Sequence, residues 1–174
     1  LLNARGKIYK TTGKWDEALT DFQEVEAKEK EITDKREVVK ALLELGELQS
    51  FYGEYQMAVT ILQKALHIAE EMNDRLLLAN TSYLLGSVYS RIGEHQEGKS
   101  ILERSVALLE SEGVSEESRR ILANILCQMG LNQFREGKMD EAVEYYKKSL
   151  ALIRQPDVSP EAAEDYRYMG AVSY

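Results

Sequence analysis

A glycine returns along this 174-residue chain at Gly6, Gly46, Gly86, Gly130 and Gly170, at intervals of 40, 40, 44 and 40 residues. Seven residues after the first four of these come Gly13, Gly53, Gly93 and Gly137. Twelve residues after them stand Ala18, Ala58, Gly98 and Ala142, all small, and sixteen after them Phe22, Leu62, Leu102 and Tyr146, all large and apolar. Four columns that agree across four copies define a repeat array. This period constrains the fold more than any other feature, because one copy is too short to bury its apolar face except against a neighbour.

Each copy reads as two helices. Before the first glycine runs an apolar stripe at helical spacing, such as Leu78, Ser82, Leu85 and Tyr89. The second glycine fits a left-handed helix end, where the missing Cβ removes the steric penalty. After it, Leu102, Val106 and Leu109 share one face of a second helix. A glycine inside a helix costs about 1 kcal/mol relative to alanine. The first glycine and the small residue twelve positions later are therefore expected to mark where two antiparallel helices approach most closely.

The joints carry start and stop signals. Asn73 is placed as a left-handed C-terminal residue and Asp74 as an N-cap. Asp34 stands three residues before Glu37, the spacing of a capping box. Gly113 and Ser115 mark a stop and a start, and Ser159–Pro160 a further start. The four extra residues between Gly86 and Gly130 amount to about one turn, so one helix is expected to be longer there. The pattern predicts repeats over 1–33, 34–73, 74–114 and 115–158, with a partial one over 159–174. That makes nine helices, the last being Glu161–Tyr174. The chain starts inside a helical pattern without an initiator Met, as a fragment would. The apolar face of its last helix predicts end-to-end self-association.

Composition narrows the function. Only 2 prolines are present and the net charge is −8, which disfavours nucleic acid and anionic membrane surfaces as partners. No apolar run reaches the roughly 18 residues of a membrane span. The single cysteine, Cys127, permits no intramolecular disulfide and points to a reducing cytoplasm.

The stretches LGSVYSRIGEHQEG, LGELQSFYGEYQMA, MGLNQFREGKMDEA and RGKIYKTTGKWDEA resemble the tetratricopeptide repeat, a helix–turn–helix unit. The period of 40, against 34, is similar to the longer variant of kinesin light chains and bacterial regulators, and KALHIAEEMND resembles the segment that closes such repeats. The resemblance implies an all-α, right-handed superhelix of four helix pairs plus a partial one, with a concave face lined by the first helix of each pair. It implies protein binding on that face. The family's clamp for chaperone C-termini is not matched, because Asn3, Lys7, Glu44 and Leu84 stand in its columns.

Catalytic and cofactor signals are missing from the sequence. His95 falls in the column of Trp15 and Tyr55 and reads as a packing residue, while His67 reads as surface. One cysteine and two histidines give no zinc-site spacing, and no phosphate-binding glycine loop is present. Cys127 lies among apolar residues, as a small hydrophobe would. The expectation is a protein without enzymatic activity, metal or cofactor.

The residues three before, one after, and four and five after each marker glycine fall on one helical face. They are Asn3, Lys7, Lys10 and Thr11; Leu43, Glu47, Ser50 and Phe51; Tyr83, Ser87, Ser90 and Arg91; Cys127, Leu131, Phe134 and Arg135. Six before the glycine come Lys40, Asn80, Asn124 and Glu164, and the last partial helix adds Arg167. Cations (Lys7, Lys10, Lys40, Arg91, Arg135, Arg167) outnumber anions (Glu47, Glu164) on this face, and Glu44, two before Gly46, weakens the excess. Such a groove suits a peptide with acidic and aromatic or aliphatic side chains, its backbone held by Asn80 and Asn124. Two functions fit: an interaction scaffold within a larger regulatory or assembly protein, or a peptide- or ligand-sensing domain controlling an attached output domain.

Overall fold

The computed structural model describes residues 2–110 and 115–153. Over these residues the chain is all-α, with eight helices and no strand: α1 (Leu2–Thr11), α2 (Trp15–Ala27), α3 (Lys35–Phe51), α4 (Tyr55–Glu71), α5 (Arg75–Ile92), α6 (His95–Glu110), α7 (Glu116–Arg135) and α8 (Met139–Ile153). The ninth helix expected over Glu161–Tyr174, the Gly113 stop and the Ser159–Pro160 start lie outside the described residues, as do Glu164 and Arg167.

The turns form where the second glycine column predicts them. Gly13, Gly53, Gly93 and Gly137 all have positive φ, from +76° to +88°. Each follows the end of a first helix, and its amide closes the turn onto a carbonyl of that helix's last residues. Asn73, at φ 53°, is the only non-glycine residue of this kind among those described.

Caps fix the starts. Asp74 accepts from Leu77 N at 3.1 Å and Ser115 from Ser118 N at 3.1 Å. Asp34 caps α3 by accepting from Arg36 N at 3.0 Å. The reciprocal half of the expected capping box is not made, because the Glu37 carboxylate is drawn away from the helix end. It accepts instead from Asn3 Nδ2 and Lys40 Nζ. The extra residues between Gly86 and Gly130 fall in line with a longer helix: α7 has 20 residues, against 17 in α3 and 18 in α5.

The marker glycines take the role expected of them, with one refinement. A Cβ on Gly46 would come within 2.7 Å of Leu62, one on Gly6 within 2.8 Å of Phe22, and one on Gly130 within 2.7 Å of Tyr146. The large residue of the sixteenth position thus lies directly on the bare glycine backbone of its partner helix. The small residue of the twelfth position makes its own close approach where Gly98 stands: a Cβ there would meet Gly86 O at 3.0 Å.

The chain divides into two compact units, Leu1–Ile101 and Leu102–Tyr174. In the first, the core is Phe22, Leu42, Leu45, Leu48, Leu62 and Leu85, each less than 2% exposed. Each such side chain contributes about 1.5–3 kcal/mol on burial. One copy departs from this apolar pattern. Arg5 stands in the column of Leu45 and Leu85, and Asp21 in that of Ile61, and the two form a bidentate ion pair (Nε–Oδ2 2.8 Å, Nη2–Oδ1 2.6 Å). In the second unit α8 runs antiparallel to α7, so that Gly130 meets Tyr146 while Ala123 O accepts from the buried Ser149 Oγ at 2.8 Å. Ile125, Met129, Ala142 and Ile153 fill that interface.

Candidate functional site

The first helices of successive pairs touch one another directly, α1 against α3 and α3 against α5. That contact consumes part of the face on which the candidate residues were placed. Asn3 is buried, and its Nδ2 donates to Glu37 O at 2.7 Å and Glu37 Oε2 at 3.0 Å. Leu43 is buried as well. Ser50 and Ser90, assigned to the open face by spacing, are also buried, and Ser90 Oγ donates to Gly86 O at 2.9 Å. The small serine side chain turns back into the helix where Lys10 and Phe134, at the same position in their copies, reach outward.

The other candidates in the first unit stay accessible. Lys7, Glu47, Phe51 and Arg91 are exposed, whereas Lys10, Lys40, Asn80, Tyr83 and Ser87 are half-buried. Ser87 Oγ donates to Tyr83 O at 2.9 Å. Thr11 is exposed, with its hydroxyl turned onto Ile8 O at 2.9 Å. In the second unit Phe134 and Arg135 are exposed, and Asn124, Cys127 and Leu131 are half-buried. Arg167 lies outside the described residues.

The expected excess of positive charge is largely cancelled on α1 and α3. Lys10 Nζ donates to Glu44 Oε2 at 2.7 Å and also to Glu47, while Lys7 Nζ lies 3.5 Å from Glu44 Oε1. Lys40 pairs with Glu37 at 2.9 Å. Desolvation opposes the charged form of Lys10, but the bonds from Glu44 and Glu47 outweigh it and raise its pKa. Glu37 is lowered, first by the Asn3 hydrogen bond and then by Lys40. On α1 and α3 the face is therefore a ladder of ion pairs, made between the two helices by Lys7 and Lys10 and within α3 by Lys40, rather than a basic strip. Arg91 and Arg135 are the exceptions, for neither forms an ion pair among the described residues.

Sequence spacing did not assemble the aromatic group at the ends of α2 and α3. Trp15 stacks on Phe51 with ring centroids 5.6 Å apart, and Phe51 meets Tyr52 edge-on at 5.9 Å. The Tyr52 hydroxyl donates to Asp16 Oδ1 at 3.1 Å. Phe51 nonetheless remains 69% exposed. Trp15 and Phe51 lie in different columns of different copies, so only the abundance of aromatics near both turns signalled the cluster.

The remaining titratable groups read simply. His67 is exposed, with Nε2 3.4 Å from Glu71 Oε1. His95 is half-buried, in keeping with a packing position. Burial raises the Cys127 thiol pKa above its ordinary value. Among the described residues no group of three metal-ligating side chains comes together, and no helix is long and apolar enough to cross a membrane.

Comparison with known proteins agrees with this geometry. The family model of the tetratricopeptide repeat matches residues 1–71, 53–111 and 77–155. No curated protein matches the chain at a significant level. Among solved structures, BtubC from P. vanneervenii is similar with a TM-score of 0.75 at 14% identity, over 87% of this chain and 61% of that one. A Rap protein complexed with Competence and Sporulation Factor is similar with a TM-score of 0.75 at 15% identity, over 87% of this chain and 42% of that one. The putative kinesin light chain repeats of Podosopora anserina give a TM-score of 0.62 at 20% identity, over 98% of this chain and 86% of that one. This chain thus spans less than two thirds of the first two proteins, and identities this low speak for the fold alone. With helix pairs, turn glycines and close-approach glycines all in register, and the family model matching nearly end to end, the chain belongs to the tetratricopeptide repeat family.

Proposed function

We propose that this chain is a docking module that takes extended segments of a partner protein on the faces made by the first helices of its pairs, within each of its two units. Membership of a family that serves protein interaction supports a binding role, rather than catalysis, as the primary one. The observation that carries the reading of this face is the contrast among its cations. Lys7, Lys10 and Lys40 are matched by Glu37, Glu44 and Glu47, whereas Arg91 and Arg135 stand exposed with no ion pair among the described residues. Each arginine offers a planar fork suited to a carboxylate of the partner. Tyr83 and Phe134, on the same helices, supply apolar contact, and Asn80 and Asn124 supply backbone hydrogen bonds. The module works in the cytoplasm, within a longer regulatory or assembly protein.

A second reading, a sensing domain whose groove holds a signalling peptide and controls an attached output domain, is favoured by the likeness to the Rap protein complexed with Competence and Sporulation Factor. Both readings place the ligand on the same face. Capture of partners on the immobilised chain, followed by Arg91→Glu with Arg135→Glu, tests that face. Captured partners should be lost from the double variant. Equal capture by wild type and variant would remove the arginines, and with them this reading of the face.

A further inference from the structure

The aromatic group at the ends of α2 and α3 is built unlike the ladder beside it. Phe51 stacks one side on Trp15 and leaves 69% of its surface in water, and Tyr52 is 44% exposed. An exposed phenylalanine held between two aromatic neighbours is pre-ordered, so a ligand that covers it does not have to immobilise it. Its surroundings are acidic. Asp16 anchors the Tyr52 hydroxyl and Glu54 follows two residues later, and neither forms an ion pair among the described residues. Glu47, one helical turn before Phe51, keeps a half-exposed side chain, though it is shared with Lys10. The nearest other cation in sequence, Lys14, lies over the Tyr9 ring at 5.7 Å.

We infer that Trp15, Phe51 and Tyr52 form a second docking site, separate from Arg91 and Arg135, for a partner protein segment that presents an arginine beside an aliphatic side chain. The guanidinium stacks on the open face of Phe51, where the ring quadrupole attracts a cation, and its N–H groups reach the carboxylates of Asp16 and Glu54. The neighbouring aliphatic group covers the remaining edge of Tyr52 and Trp15. Charge complementarity selects this occupant: an acidic segment would meet Asp16, bound to the Tyr52 hydroxyl, and the exposed Glu54 two residues beyond Tyr52, within a chain of net charge −8.

Trp15 is the only tryptophan, so its emission reports on the site directly. The probes are an octapeptide of alternating arginine and leucine and its glutamate–leucine counterpart. The arginine peptide should change Trp15 emission saturably and the glutamate peptide should not. Phe51→Ala should weaken the arginine peptide by about fivefold or more, and Asp16→Asn with Glu54→Gln should weaken it likewise. Val143→Ala, at an exposed apolar residue of the other unit, should leave binding unchanged. Because Phe51 is exposed, its alanine variant should keep the wild-type melting midpoint, which separates lost binding from lost folding. Equal binding by Phe51→Ala and wild type, or equal binding of the two peptides, would overturn the inference. Either result would leave the Arg91 and Arg135 reading untouched, since that concerns other side chains.

Discussion

Leu62 occupies the space of the side chain that Gly46 lacks: a Cβ on Gly46 would come within 2.7 Å of both Leu62 Cγ and Cδ2. The same glycine therefore lowers the intrinsic stability of α3 and permits the α3–α4 contact. Gly46→Ala sets a helix-propensity gain of about 1 kcal/mol against overpacking of about 1–3 kcal/mol. The leucine is fully buried and has little room to move. Net destabilisation is expected, read as a lower urea midpoint.

Gly53 lacks a side chain for a different reason, and its variants should behave differently. Its φ is +82° and a Cβ there would meet nothing within 4 Å. Gly53→Ala should cost about 1–2 kcal/mol from left-handed strain alone, and Gly53→Asn less, because asparagine tolerates that conformation. At Gly46 the order should reverse, with asparagine worse than alanine. Chemical denaturation of the four variants checks the pattern.

The Arg5–Asp21 pair predicts an acid limb in the stability profile. The Arg5 hydrogen bond, followed by its charge, lowers the Asp21 pKa below 3.8, against the opposing effect of burial. A carboxylate depressed in the folded state adds stability that is present above its unfolded pKa and lost as pH falls through the folded one. Wild type should therefore weaken below about pH 4, and Asp21→Asn should weaken less steeply there. Arg5→Leu alone should be more damaging than Arg5→Leu with Asp21→Ile, because the single change strands a buried carboxylate and the double change restores the apolar pair of the second copy.

Asp74 serves two elements, and its loss should be felt at a joint between copies. It caps α5 through Leu77 N and pairs with Arg36 Nη2 at 2.5 Å. Asp74→Ala should cost about 1–2 kcal/mol, more than Asp34→Ala, whose cap bond is exposed. Thermal melts followed by circular dichroism would register the difference.

Cys127 should alkylate slowly while the chain is folded. Burial raises its thiol pKa, so less thiolate is present at neutral pH than in a free cysteine. Iodoacetamide should react several-fold faster in urea than in buffer. Equal rates would mean that α7 does not shield the thiol.

The sequence by itself determined the all-α class, the helix pairs, the four left-handed turn glycines and the caps at Asp34, Asp74 and Ser115. Each of these is set by chemistry within about one helical turn, or by a period that repeats along the chain. It also identified the marker glycines as contact points, because a residue that weakens its own helix must be repaid by packing elsewhere. It did not determine which residues of the first helices stay open. Lys10 and Ser50 share a column, yet one reaches across to Glu44 and the other is buried. Nor could spacing reveal that Lys7 and Lys10 would find Glu44 and Glu47, or that Trp15 would stack on Phe51. These partners are separated by more than thirty residues. Whether they meet depends on how one helix pair rotates against the next, a quantity set by the whole packed interface and by no single residue.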